Sequence, residues 1–339
     1  MRIAIFDAHA FERPPLELAN RDFGHQLEFI EARLTERTAS LAAGFPAIAA
    51  FANDKLDAPT LTQLQAGGTR LIALRSAGFN HVDLSAAERL GLSVVRVPAY
   101  SPHAVAEHAI ALLQALNRKI HRAHQRVREL DFSLDGLVGF DLHGKTAAVV
   151  GVGRIGEVMA RILTGFGCRV LLYDQQDRGD LARALGAEQC DLRRIYRESD
   201  VISLHVPLTP STRHMIDAEA LALMKPGVVL VNTGRGGLID TPALIGALKR
   251  RHLGGAALDV YEEEENVFFH DLSEQGLQDD TLARLLTFPN VLITAHQAFL
   301  THEALRNIAE TTLQNVADFE AGRPLVNRVG RERVRTSSS

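Results

Sequence analysis

The chain has 339 residues, enough for two domains each with its own core. Its 37 Lys plus Arg against 41 Asp plus Glu leave a formal charge of -4, which offers no general attraction to nucleic acid or to an anionic membrane. No apolar run reaches spanning length, and two cysteines, Cys168 and Cys190, make neither a disulfide framework nor a metal site. The opening Met1–Asp7 turns polar too soon for a secretory signal, so a cytoplasmic protein is expected.

In chain order, Ile3–Phe6, Leu71–Leu74 and Ser93–Val97 read as strands with helical stretches between them, a first and smaller α/β run. A helix is predicted from Ser101-Pro102, because Ser caps well and Pro suits the first helical position. Its buried stripe is Val105, Ile110, Leu112, Leu113 and Leu116. Beyond it His121 and His124 share a helix with Arg118, Lys119, Arg122 and Arg126, the pattern of a solvated or interface face rather than a metal site.

Thr146–Val150 is a short continuous apolar run that opens into a glycine turn. Ile155, Val158, Met159, Ile162, Leu163 and Phe166 then have helical spacing, Gly167 closes the helix, and Cys168 is expected to be packed. Strands follow at Arg169–Tyr173, Val201–Leu204, Val228–Val231, Ala256–Leu258 and Val291–Thr294, with helical segments between most of them. Such alternation indicates a parallel sheet covered on both faces. The last long helix, Glu303–Phe319, is expected to return to the first domain. The expected fold is therefore α/β: two Rossmann-like domains with doubly wound parallel sheets. One comprises 1–100 plus 301–330, and the other is an insertion at 101–300. Residues 331–339, basic and then Ser-rich, are expected to be disordered.

Gly151-Val152-Gly153-Arg154-Ile155-Gly156 matches the dinucleotide-binding pattern in its proper setting. A strand precedes it, a helix follows, and Asp174 ends the next strand 18 residues after Gly156. The glycines allow the tight turn, the approach of a pyrophosphate and close helix–strand packing, and the helix N-terminus favours the phosphates. Asp174 is placed to accept hydrogen bonds from ribose hydroxyls and would repel a 2′-phosphate, so NAD is expected rather than NADP. This makes 101–300 the cofactor domain and 1–100 plus 301–330 the substrate domain.

Three further candidates lie just after strands, at the edge where ligands bind in open α/β sheets. Arg235 follows Val228–Val231, His296 follows Val291–Thr294, and Glu262-Glu263-Glu264-Glu265 follows the strand ending near Val260. Together they suit the reduction of a 2-keto acid: a planar guanidinium for the carboxylate, an imidazole that gives up a proton near neutrality, and a carboxylate that favours the imidazolium. Taken singly, Arg235 also suits a surface turn, His296 a helix cap, and the glutamates a solvated loop.

Nearly the whole chain, from Arg2 to about Gly322, resembles the D-isomer-specific 2-hydroxyacid dehydrogenases. The resemblance rests on Ala73–Asn80, Val97–Pro102, the glycine turn, Ser203–Thr209 and the Arg, Glu and His segments. A short substrate loop and His296–Phe299 point to the lactate branch of that family. The resemblance implies Arg235 as carboxylate binder, His296 as proton donor and Glu264, five residues after Asp259, as its partner. Glu262, Glu263 and Glu265 are then bystanders or a supporting layer. It also implies that Arg154 and Ile155 touch the pyrophosphate, that Val206, Pro207, Thr212, Thr233 and Gly234 line the cofactor, and that Asp259 holds the carboxamide. Backbone N–H groups of Ala77 and Gly78 would bind the substrate carboxylate. Tyr100 and Phe299 would wall a pocket for a small methyl side chain, hence pyruvate and D-lactate. The active site would lie in the cleft between the domains, and the molecule would be a homo-oligomer joined through the NAD domain. Competing expectations are a relative acting on glyoxylate, hydroxypyruvate or another keto acid, and an NADH-sensing, corepressor-like binding protein.

Overall fold

Short apolar runs become strands here because a strand covered on both faces needs no polar side. In the computed structural model, which describes residues 1–265 and 267–330, these runs build two sheets, all of whose strand pairs are parallel. The expectation of disorder for 331–339 falls outside the described residues. The chain divides into two compact units, Met1–Ser101 with Phe299–Ser339, and Pro102–Ala298.

The first unit holds β1 (Arg2–Ile5), β2 (Gln26–Phe29), β3 (Ala47–Ala50), β4 (Leu71–Leu74) and β5 (Ser93–Val95) in the order β2-β1-β3-β4-β5. Side chains alternate across it. Ala4, Phe6, Ile48, Ile72 and Leu74 fill one core with Leu61 and Leu64, while Ile3, Ile5, Ala49 and Leu71 fill another with Ala309, Leu313 and Val316. The latter three belong to helix His302–Glu320, which therefore packs on the first sheet; Thr301, not His296, caps it through a bond from Ala304 N–H. β5 ends at Val95, two residues earlier than the run of apolar residues indicates. Arg96 N–H donates to Asn327 O and Val97 N–H to Ser76 O, so both leave the ladder.

The second unit holds β6 (Thr146–Val150), β7 (Arg169–Tyr173), β8 (Glu188–Gln189), β9 (Val201–Leu204), β10 (Val228–Asn232), β11 (Leu253–Leu258) and β12 (Val291–Ile293). Their order is β12-β11-β10-β9-β6-β7-β8, so the direction of winding reverses between β6 and β9. In such sheets the crevice beyond the strand ends at that reversal is where ligands bind. Helix Pro102–Asn117 begins on its proline and packs on this sheet through Ala106, Ala109, Leu112, Leu113 and Leu116. Helix Arg154–Gly165 joins the same core through Met159, Ala160 and Leu163, and Gly167 follows it with φ +76°. Cys168 is half-buried in that layer, donates to Leu142 O at 3.3 Å, and has its thiol pKa pushed up by burial. Among the described residues no helix is long and apolar enough to cross a membrane.

Candidate active site

β6 delivers the glycine turn. A Cβ on Gly156 would sit 2.0 Å from Gly151 O, so only glycine lets the helix start this close to the strand. At Gly153 the reverse holds: nothing lies within 4 Å of where a Cβ would be. No side chain caps helix Arg154–Gly165, which leaves its first-turn N–H groups and partial positive charge to an anion. Asp174, just past β7, accepts Val152 N–H at 2.8 Å through Oδ2 and Gln176 N–H at 2.9 Å through Oδ1, with Arg178 Nε at 3.5 Å. These bonds fix the acid beside the turn.

Past β9, the half-buried His205 imidazole stands 2.8 Å from Ser203 Oγ, and its loss of solvent pushes its pKa down to about 4, so the ring is neutral. Val206 and Pro207 follow. Thr212 hydroxyl donates to Pro207 O at 2.6 Å and accepts Thr209 N–H at 2.8 Å, closing the turn on itself. Past β10, Thr233 is buried and its hydroxyl has no partner among the described residues, while Gly234 N–H donates to Asn232 Oδ1 at 3.0 Å.

The same buried Asn232 also donates through Nδ2 to Arg235 O at 2.9 Å, so one side chain shapes the whole turn that presents Arg235. Arg235 is half-buried, and its guanidinium donates to Gly234 O at 2.7 Å; no carboxylate pairs with it among the described residues. Past β12, His296 Nδ1 meets Glu264 Oε1 at 2.8 Å, both side chains 18% exposed. Glu264 Oε2 also accepts Tyr261 N–H at 3.2 Å, which fixes the carboxylate against the imidazole.

His296 has φ 52°, a left-handed backbone that costs a side-chain-bearing residue about 1 kcal/mol or more. Asp259 supports it. His296 N–H donates to Asp259 O at 2.7 Å, and the buried Asp259 carboxylate accepts Gln297 N–H at 2.9 Å, Ala298 N–H at 2.8 Å and Thr294 hydroxyl at 2.5 Å. Burial alone would raise the Asp259 pKa. The bonds from His108, Thr294, Ala298 and Gln297 outweigh it and hold the carboxyl below its usual value. His108, on helix Pro102–Asn117, reaches Thr294 Oγ1 at 3.2 Å and Asp259 Oδ1 at 3.4 Å.

In the first unit, the carbonyls of Ala77 and Gly78 accept from Arg96 Nη1 and Ser76 Oγ, both at 2.8 Å. The Tyr100 and Phe299 rings meet edge to face at 6.3 Å, and Asn307 Nδ2 donates to Tyr100 O at 2.6 Å. Phe299 also packs with Phe11 at 6.2 Å and Phe51 at 6.5 Å, so the aromatic wall is larger than the sequence indicated. His9 stacks on Phe11 and meets the edge of Phe51.

Residues 110–298 match the family described as D-isomer specific 2-hydroxyacid dehydrogenase, NAD binding domain. The chain belongs to the D-isomer-specific 2-hydroxyacid dehydrogenase family. It is 52% identical over 320 residues to 2-hydroxyacid dehydrogenase homolog 1 of Schizosaccharomyces pombe, covering 94% of this chain and 96% of that one. It is 50% identical over 329 residues to the D-lactate dehydrogenase of Escherichia coli, covering 97% and 100%. A structure reported for the pyruvate reductase of Chlamydomonas reinhardtii matches with a TM-score of 0.91 at 43% identity, over 96% of this chain and 98% of that one.

NAD is the cofactor of this dehydrogenase, and the residues present fit it. Space at Gly153, an uncapped helix N-terminus and the buried, unpartnered Thr233 hydroxyl all ask for a polar ligand that the protein itself does not supply. Three supports escaped the sequence: Asn232 under the Arg235 turn, His108 on Asp259, and Phe11 with Phe51 behind Phe299. Their only trace in sequence is a polar residue closing a strand, a histidine within a helix or an aromatic in a loop, which many residues share.

Proposed function

We propose that this dehydrogenase reduces pyruvate to D-lactate at the expense of NADH, with His296 as proton donor. The observation that carries the reading is the Glu264–His296 contact of 2.8 Å, made past β12 on a sheet that also bears the glycine turn and Arg235. Two relatives whose names refer to D-lactate and to pyruvate support the choice of substrate.

NADH, when bound, supplies the hydride. Arg154 and Ile155 at the helix start hold the pyrophosphate, Asp174 the ribose, and Val206, Pro207, Thr212, Thr233, Gly234 and Asp259 the remainder. Arg235 binds the substrate carboxylate with its planar fork, helped by N–H groups of Ala77 and Gly78. Glu264 occupies Nδ1 of His296, so Nε2 is the nitrogen left to hydrogen-bond the ketone oxygen and give it a proton. The Glu264 carboxylate stabilises the charged imidazole until that transfer. Asp259, through the loop it staples, keeps the ring aimed. Tyr100 and Phe299 limit the side chain of the keto acid to a small group.

The protein is proposed to act in the cytoplasm, in fermentative reduction, as a homo-oligomer joined through the NAD domain. Supporting that association, Leu130, Phe132, Leu134 and Val138 of that unit are each more than two-thirds exposed, an apolar stretch no isolated subunit needs.

A panel of keto acids tests the substrate. With NADH, kcat/KM for pyruvate should exceed that for branched or aromatic 2-keto acids by about tenfold or more, the scale of a few mismatched methylenes. Preference for hydroxypyruvate, glyoxylate or a bulky keto acid would replace pyruvate in this account.

A further inference from the structure

Four consecutive glutamates follow Tyr261, and the fold treats them differently. Glu263 and Glu265 are exposed, and Glu264 meets His296. Glu262 points the other way and is 11% exposed. Its Oε1 accepts His214 Nε2 at 2.6 Å and Arg213 Nη2 at 2.9 Å, and its Oε2 accepts Thr241 hydroxyl at 3.4 Å. These partners come from two separate segments: the stretch after β9, and the first residue of helix Thr241–Lys249. His214 is held with φ 52° and its N–H donates to Gly237 O at 2.8 Å, which joins that stretch to the turn after Arg235.

The backbone is locked at the same place. A Cβ on Gly236 would lie 2.1 Å from the Tyr261 carbonyl and 2.4 Å from Glu262 N, so the Arg235 turn and the acidic turn touch main chain to main chain. A half-buried carboxylate with three donors from two segments is a clamp: it is stable only while all of them stay put.

We propose that Glu262 is a positioning residue, which clamps the acidic turn and thereby holds Glu264 against His296. The inference rests on the reading of His296 as proton donor and Glu264 as its partner. Glu262 touches neither substrate nor cofactor in this scheme. It acts because Glu264 hangs from the turn that Glu262 anchors, two residues away.

The charged groups involved are few. Glu264 faces the His296 ring, Asp259 holds the loop that carries this ring and meets His108, and Arg213 and His214 face Glu262. Reduction needs the imidazolium, so its rate falls as pH rises past the loss of that proton. Weakening the negative neighbour releases the proton earlier and moves this alkaline limb to lower pH.

The test is the pH profile of kcat/KM for pyruvate reduction in the parent and in Glu264→Gln, Glu262→Gln, Glu263→Gln and the Glu262→Gln/Glu264→Gln pair. Glu264→Gln should move the alkaline limb down by about one pH unit, and Glu262→Gln by about half of that. Glu263→Gln should leave it in place. The double variant should match Glu264→Gln alone, because a clamp has no further effect once its cargo is neutral. If Glu264→Gln moves nothing, the proton-donor reading itself fails. If Glu264→Gln moves the limb and Glu262→Gln does not, or if the two shifts add in full, the clamp is overturned. Should Glu262→Gln fold poorly, His214→Asn decides in its place. Asn tolerates the left-handed backbone and is too short to reach Glu262, so the limb should move the same way; an unmoved limb overturns the proposal.

Discussion

His296→Gln should lose about 10²- to 10⁴-fold in kcat for pyruvate reduction while binding NADH as the parent does. Glutamine can still hydrogen-bond a ketone oxygen and still meet Glu264, but it has no proton to give at neutral pH. The loss therefore isolates proton transfer from positioning. Little else should change. The left-handed backbone at 296 is imposed by Asp259, which holds the N–H groups of 296, 297 and 298, and Asp259 is untouched by the substitution. Binding is best followed by the fluorescence of the nicotinamide itself, since the chain has 0 tryptophans to act as reporter. A variant that turns over at the parent rate would dismiss His296 from the chemistry.

Arg235→Gln should cost about 3–4 kcal/mol of transition-state stabilisation, on the order of 10²–10³ in kcat/KM, expressed mainly as a raised KM for pyruvate. The Arg235 side chain is half-buried. Among the described residues it has no carboxylate partner and donates only to the carbonyl of its own neighbour, Gly234. A half-buried cation left without a counter-ion contributes little to folding, so the thermal midpoint should stay within a degree or two of the parent. Arg235→Lys should recover only part of the loss, because an ammonium cannot repeat the planar two-point grip. A parent-like KM for pyruvate in Arg235→Gln would mean that the carboxylate is held elsewhere.

The second sheet was legible in the sequence because its strands are runs such as Thr146–Val150 and Val228–Asn232, rich in valine and ending in glycine or polar turns. The first sheet was legible only in part. β3 reads Ala-Ile-Ala-Ala, whose small side chains carry no strand signature and are buried only because neighbours on both sides cover them. β2 and β8 lie at sheet edges and are polar enough to pass for loop. In the candidate site, position along the chain made Arg235 and His296 candidates, since each follows a strand end, but by itself left a surface turn and a helix cap open for them. Glu264 was different: spacing alone could not separate it from three glutamate neighbours, and only family resemblance did. What distinguishes Glu262 and Glu264 physically is contact with residues 48 and 32 positions away, which no local pattern encodes. Asp259 shows the same limit. Its carboxylate is committed to residues 294, 297 and 298, a role visible only once β11 and β12 lie side by side.

The most direct measurement is to incubate the purified chain with pyruvate and NADH and resolve the product by chiral chromatography. Stoichiometric oxidation of NADH with D-lactate as the sole enantiomer is the expected result. Recovery of L-lactate, or the absence of NADH oxidation with pyruvate at any pH between 5 and 9, would contradict it.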